Sequence, residues 1–417
     1  MHILEYYQND AKREELKQIL QLGAQHHPAG LPDFFLEKDL WVTEILRLLY
    51  DEKLLGDYAV AFKGGTALSK CWKAIDRFSE DIDLSIHWAD LAEAENELTE
   101  WAQSTKNPSQ QKKFRERQTE RLTEWSSQLC EKLNQRLVQY GIEGLGAELE
   151  EDSHGEKINF HYPRVTESAN SYHLDFVLLE FGGRNRGEPT VEHEVKSYLA
   201  EVSELQSLEF PVAKVQAYDP DYIVWEKLTA LHQFSTMERD PNSHRLARHW
   251  YDVDCMLEKG TANPIKAMQA RSDVVEMKKQ RWPEKGVDYE LILKGQLKLI
   301  PEADRLAGIS VDHKESIEGR MFFTNQQPSS FEEIIDRVSC AQLSINKAAL
   351  DSWVRQNVRW VYSGAWMQGV AEYSGKIVRS EMFLKGQSKR ALENLTKRVL
   401  DSANERMNKS LIAHLRK

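Results

Sequence analysis

The stretch that most constrains this chain runs from Phe62 to Ile86, FKGGTALSKCWKAIDRFSEDIDLSI. An apolar run from Tyr58 to Phe62 ends at Gly64-Gly65. That pattern predicts a strand delivering the chain to two residues without a Cβ, where the backbone turns tightly and can approach a ligand. From Thr66 the sequence is helical in character, and first-turn N–H groups together with the helix dipole favour an anion such as phosphate. The chain then returns as Asp81-Ile82-Asp83-Leu84-Ser85-Ile86. Alternation along a strand puts Asp81, Asp83 and Ser85 on one side and Ile82, Leu84 and Ile86 on the other. Two carboxylates over an apolar layer, beside a phosphate-sized nest, suit Mg2+ shared with substrate phosphates. The chemistry expected is phosphoryl or nucleotidyl transfer. Singly, D-x-D is often a solvated strand edge and Gly-Gly often only a turn, so the combination carries the argument.

Gly64-Gly65, a helix and Asp81-x-Asp83 resemble the signature of the DNA polymerase β-like nucleotidyltransferase superfamily. GGTALSK followed by RFSEDIDL is similar to the AbiEii/AbiGii toxin family of abortive-infection and type IV toxin–antitoxin operons. The fold expected is α+β: a polymerase β-like core with a small mixed sheet, then a helical C-terminal domain. Many members have Gly-Ser where this chain has Gly64-Gly65, so a hydroxyl for the triphosphate is expected from Thr66 or Ser69. The resemblance implies a nucleoside triphosphate on Lys63, Gly64, Gly65, Thr66 and Ser69, with Mg2+ on Asp81, Asp83 and a third carboxylate. It further implies an RNA acceptor such as a tRNA 3′ end, arrested growth, and restraint by a separately encoded antitoxin.

At 417 residues, with 41% hydrophobic and 29% charged, the chain has the size and balance of a globular protein with more than one domain. Boundaries are expected at 1–54 (helices), 55–218 (core, with a helical insertion at 90–145), 219–346 (helical) and 347–417 (basic tail). No apolar run reaches membrane-spanning length and MHILEYYQNDAKREEL lacks signal-peptide regions, so a cytoplasmic location away from membranes is expected. Four scattered cysteines predict neither zinc site nor disulfide, and read as reduced core residues. The net charge of −11 argues against a protein that coats nucleic acid, yet residues 351–417 carry thirteen Arg and Lys against six Asp and Glu. The tail's aromatics, Trp353, Trp360, Tyr362, Trp366 and Tyr373, either stack on single-stranded nucleic acid or pack inward.

Residues 10–50 show two helices broken at Pro28–Pro32, and Glu37-Lys38-Asp39 reads as a solvated N-terminal turn, although the run to Val42 also resembles the family's helix. Residues 91–138 read as two more helices, with Leu122, Trp125, Leu129, Leu133 and Leu137 on one stripe. The basic cluster Lys112, Lys113, Arg115, Arg117 and Arg121 is interleaved with Glu, a solvated face before it is an RNA contact. A strand from His173 to Phe181, ending at Gly182-Gly183, offers Asp175 or Glu180 as third carboxylate. Five residues apart, they face opposite ways. Glu180 is favoured because LEFGGRNRGEP resembles a family segment; Arg184 there reads as a surface-loop arginine before it is a phosphate contact.

In the helix after Asp219-Pro220, Lys227 falls inside the apolar stripe of Ile223, Val224, Leu228 and Leu231. It either snorkels out or reaches a shared cavity to neutralise phosphate. WEKLTALH is similar to the family motif with an active-site lysine, and RHWYDVDCML to a motif whose Asp252 would orient Lys227 or act as base. Asp254 and His249 read as surface or core-edge groups. Ser79 stands two residues before Asp81, where a phosphate on it would compete for Mg2+, a regulatory expectation. The leading function is Mg-dependent nucleotidyl transfer. The rivals are transfer of a nucleotide to protein Ser, Thr or Tyr, and an inactive module that binds RNA or a partner.

Overall fold

A computed structural model describes residues 2–92, 107–167, 172–185, 187–241, 244–324 and 327–361. The chain divides into two compact units, 1–346 and 347–417. The first holds helices α1 (Asp10–His26), α2 (Asp33–Tyr50) and α3 (Gly64–Lys70), strands β1 (Val60–Lys63) and β2 (Ile82–His87), and the long α4 (Pro108–Leu137). Strands β3 (Gly146–Leu149), β4 (Lys157–His161), β5 (Val177–Asn185), β6 (Thr190–Lys196) and β7 (Val212–Tyr218) follow. Helices α5 (Pro220–Thr236), α6 (Arg248–Glu258), α7 (Met268–Arg281), α8 (Glu290–Leu293), α9 (Ala303–Glu318) and α10 (Phe331–Val361) close the order, α10 running on into the second unit.

All seven strands form one mixed sheet in the order β3-β4-β5-β2-β1-β7-β6. At its centre β1 and β2 are antiparallel while β5 and β7 run parallel to them, and the outer pairs are antiparallel. The sheet is wider than the small one expected, because β3 and β6, both largely polar, were not legible as strands. One sheet face is apolar, with Ile82 opposite Leu179 and Leu84 opposite Phe181. Helix α2 covers the layer around Phe160, its Trp41 packing at 5.7 Å from that ring. The edge at β3 is blunted by Asn134 of α4, which accepts from Ala147 N at 2.9 Å and donates to Ala147 O at 2.7 Å.

Several expectations need correcting. Strand β5 starts at Val177 and continues through Gly182-Gly183 to Asn185, since Ser85 and His87 of β2 still pair with it across a bulge. A Cβ on Gly183 would lie 2.7 Å from Leu91 Cδ1, so that glycine serves packing and not a turn. The charges of Glu37, Lys38 and Asp39 are buried. Glu37 accepts from Tyr7 Oη (2.9 Å), Val165 N (2.8 Å), Thr166 N (2.9 Å) and the Thr166 hydroxyl. Lys38 donates to Glu80 at 2.6 Å and to Leu174 O at 2.7 Å, and Asp39 holds Lys70 and the Tyr198 amide. A helix enclosed on all sides has no wet face, so its charges are kept by being paired. The stripe Leu122 to Leu137 is buried as expected. The earlier helix read from residue 91 falls largely outside the described residues, as do the side chains of Arg184 and of the tail aromatics. The four cysteines are free, but Cys340 is exposed.

Candidate active site

The pleat of the central strands sets a row of charge across the sheet: Lys63 pairs with Asp83, Asp83 with Glu180, and Glu180 with Lys157. Because paired residues in register share a face, one side of the sheet is forced to gather these groups while its other side is apolar. Lys63, Asp83 and Glu180 form the floor of a cavity of about 270 Å3, lined also by Gly64, Gly65, Arg77, Ser79 and Asp81, while Lys157 lies outside it against Glu150. Its roof is helical: Ile223, Glu226, Lys227 and Ala230 from α5, Arg248, His249 and Asp252 from α6, and Lys278 from α7.

The two glycines leave space for different reasons. Gly64 has φ +73°, and a Cβ there would lie 1.7 Å from Asp83 Oδ2. Gly65 has no unusual φ, but a Cβ would lie 2.6 Å from Ser79 Oγ and 2.7 Å from an Arg77 nitrogen. No side chain caps the start of α3. The hydroxyls expected to face a triphosphate do not do so. Thr66 donates to Asp81 O, and Ser69 contacts Arg77 O at 3.3 Å and Tyr198 Oη at 2.7 Å. Both are buried behind the cavity wall. Ser79 does line the cavity, although β2 begins three residues after it and not at it.

Crowding of the acids leaves a clear electrostatic mark. Burial, then Asp83 and Asp81, push the Glu180 carboxyl up to about 8, and burial and Asp81 also raise Asp83. Each of these two carboxyls is thus shifted toward its protonated form by burial and by its acidic neighbours. Asp81 Oδ1 is buried without a partner, while its Oδ2 lies 3.3 Å from Arg245 and 4.0 Å from Arg248. Among the described residues no three His, Cys, Asp or Glu side chains already converge as metal ligands. The donor set nonetheless fits a hard divalent cation, since three carboxylates side by side, one with an orphaned oxygen, are what such an ion relieves. Asp175 is excluded from this group by its exposed ion pair with Arg164, 2.5 Å away.

Across the cavity, Lys227 is buried and donates to Asp252 Oδ2 at 2.7 Å. Arg77 grips both Asp252 oxygens at 2.8 Å. Burial alone would raise Asp252, but Arg77 and Lys227 hold it well below the ordinary carboxylate range. It is therefore fitted to orient Lys227 and unfitted to be a base. Lys63 is 2.9 Å from Glu226. Asp254, read as a core-edge group, is buried under Arg337 at 2.8 Å, and His249, against expectation, lines the cavity. Burial and then Lys227 lower the His249 imidazole to about 3.

Sequence reasoning missed three contributors. Glu80, fully buried, is raised by burial but held below its ordinary value by Lys38 and Arg245. Arg245, at φ +62°, reaches Glu80 at 2.5 Å while its amide and that of Ala247 are pinned by Asp312 at 2.5 and 2.7 Å. Lys278 lies in a run, MKKQR, that reads as an ordinary solvated helix end. Glu80 had a signal, since it is the acid between Ser79 and Asp81 in the same motif.

Among protein-family models, residues 47–337 match "Nucleotidyl transferase AbiEii toxin, Type IV TA system". That span includes every residue lining the cavity. No curated protein matches the sequence. Among solved structures the chain is similar to MenT4, a nucleotidyltransferase toxin from Mycobacterium tuberculosis H37Rv. Identity is 14% and the TM-score 0.40, over 80% of this chain and 97% of that one.

Proposed function

We propose that the chain, which belongs to the AbiEii family of nucleotidyl transferase toxins, uses this cavity to move a nucleotide from a nucleoside triphosphate to an RNA hydroxyl. The acceptor we infer is a tRNA 3′ end, whose blockage would arrest growth. The single observation that supports this reading best is the register row Lys63–Asp83–Glu180 facing the Lys227–Asp252 pair, with a glycine floor between them. The acceptor oxygen forms a bond to the α-phosphorus, the bond to pyrophosphate breaks, and the hydroxyl proton is released to water.

In this proposal Asp81, Asp83 and Glu180 would hold Mg2+, with the unpartnered Asp81 Oδ1 as one of the oxygens offered to it. When bound, the ion neutralises phosphate charge and polarises the acceptor hydroxyl. The β and γ phosphates rest on Gly64 and Gly65, whose lack of a Cβ leaves room for Asp83, Ser79 and Arg77 close against the backbone, with Lys63 beside them. Lys227, oriented by Asp252, balances the charge that builds on the transferred phosphoryl group. Thr66 and Ser69 act indirectly, by fixing α3 and the turn before β2.

Restraint by a partner antitoxin accords with the family's type IV toxin–antitoxin systems. A phosphate on Ser79 would stand at the cavity wall close to Gly65 and repel a nucleotide. Mass spectrometry of the protein co-produced with its operon partner tests this, and an unmodified Ser79 in a fully neutralised toxin rejects it. The reaction itself is tested by incubating purified protein with Mg2+, each labelled nucleotide, and total tRNA or cell lysate. Label in tRNA is the expected result. Label in protein shifts the acceptor to a side chain, and none under any condition ends the catalytic reading. No helix among the described residues is long and apolar enough to cross a membrane.

A further inference from the structure

The cations of the cavity are nearly all spoken for. Lys63 faces Glu226 at 2.9 Å, Arg77 and Lys227 share Asp252 at 2.8 and 2.7 Å, and Arg248 stands 4.0 Å from Asp81. Lys278 differs: among the described residues it has no carboxylate within ion-pair distance, and its ammonium rests 4.9 Å from the centre of the Trp282 ring. Its neighbours in the same run have structural partners, Lys279 on Glu290 and Arg281 at 3.6 Å over Phe114. The bland reading is a lysine that snorkels to water from an amphipathic helix. Against it, Lys278 lines the recessed cavity whose floor carries the acids. An aromatic face holds a cation in place without cancelling its charge.

From this we infer that Lys278 is a phosphate-binding residue, delivered by α7 from the roof of the cavity toward the Lys63 corner, and that its counter-ion is the substrate's own phosphate. The inference rests on the nucleotidyl-transfer reading for the identity of the substrate, but not for the existence of the anion site. Burial supports it by pushing the Lys278 amine down to about 8, with Glu226 opposing and Lys63 adding to that fall. Glu226 is itself engaged by Lys63, so the two lysines share one acid and an excess positive charge remains. A phosphate entering between them removes that repulsion. Two phosphate sources fit this chemistry, the tail of the nucleoside triphosphate and the backbone of the acceptor RNA.

The experiment uses the full chain as wild type, Lys278→Gln and Lys278→Arg, each first checked for an unchanged melting curve. Binding of inorganic tripolyphosphate is measured by calorimetry without turnover, and KM and kcat are measured for nucleotide and for acceptor. Lys278→Gln should weaken tripolyphosphate and raise the nucleotide KM about tenfold, with kcat falling far less, as suits loss of one charged hydrogen bond. Lys278→Arg should restore most of both. A raised acceptor KM, with nucleotide KM and tripolyphosphate unchanged, would assign the phosphate to the RNA. Wild-type values for all three quantities in a folded Lys278→Gln protein overturn the proposal. If the wild type transfers no label at all, the reaction reading fails by itself, and the tripolyphosphate measurement still decides on Lys278.

Discussion

At the scale of the residue, Asp252 shows how one side chain is made to serve two others. It is held by Arg77 through both oxygens and by Lys227 through one. Asp252→Ala strands two buried cations and should cost about 3–5 kcal/mol of stability in denaturant unfolding, as removal of one partner of a buried pair does. Lys227→Met leaves the Arg77 pair intact, so it should unfold near wild type while losing nucleotide transfer. Glu180 gives a second prediction. Its pKa, near 8, is above the unfolded value of about 4.5, so the native state keeps a proton that the unfolded chain releases. Stability of the metal-free protein should therefore be full below about pH 4.5 and decline as pH rises toward 8. Glu180→Gln should flatten that slope and raise the melting temperature at pH 8 by about 3 °C or more, measured by thermal melts across pH 5–8. Asp81 and Asp83 could be picked out from the sequence by strand alternation and Lys227 by its place inside an apolar stripe, whereas Glu180 was favoured over Asp175 only through the family resemblance. Thr66 and Ser69 could not, since a seven-residue helix turns hydroxyls inward or outward according to what lies behind it, here Asp81 O and Tyr198.

At the scale of the element, α3 and the strands flanking it form a hinge-like corner in which backbone and carboxylate nearly touch. Gly64→Ala should be doubly unfavourable: about 1–2 kcal/mol for a left-handed residue with a Cβ, and a clash that forces Asp83 to move. The expected outcome is near-complete loss of transfer with a modest loss of stability, read from activity and denaturation on the same sample. Helix α2 carries the opposite lesson about legibility. Its length and its break at Pro28–Pro32 were plain from periodicity, but its charges were not, because Glu37, Lys38 and Asp39 point at three different neighbours and no pattern within the helix encodes those neighbours. Strands β3 and β6 escaped detection for a related reason, as their residues are mainly polar and gain strand character only from β4 and β7 alongside.

At the scale of the molecule, the cavity has a floor from the sheet and a roof from α5, α6 and α7, so a ligand that fills it ties the two together. Nucleoside triphosphate with Mg2+ at a hundredfold excess over its Kd should stabilise the fold by about 2.7 kcal/mol, and the same excess should do nothing for Asp83→Asn. Thermal melts with and without nucleotide check this. The same architecture bears on how a cell survives making such a toxin. Strands carrying Asp83 and Glu180 emerge from the ribosome long before Lys227, Asp252 and Lys278 are synthesised, and among the described residues the roof of the cavity is built from residue 223 onward. A half-translated chain thus carries Asp83 and Glu180 without Lys227, Asp252 and Lys278, so on the proposed function a nascent chain should not transfer nucleotide and restraint by a partner would be needed only once the roof is made.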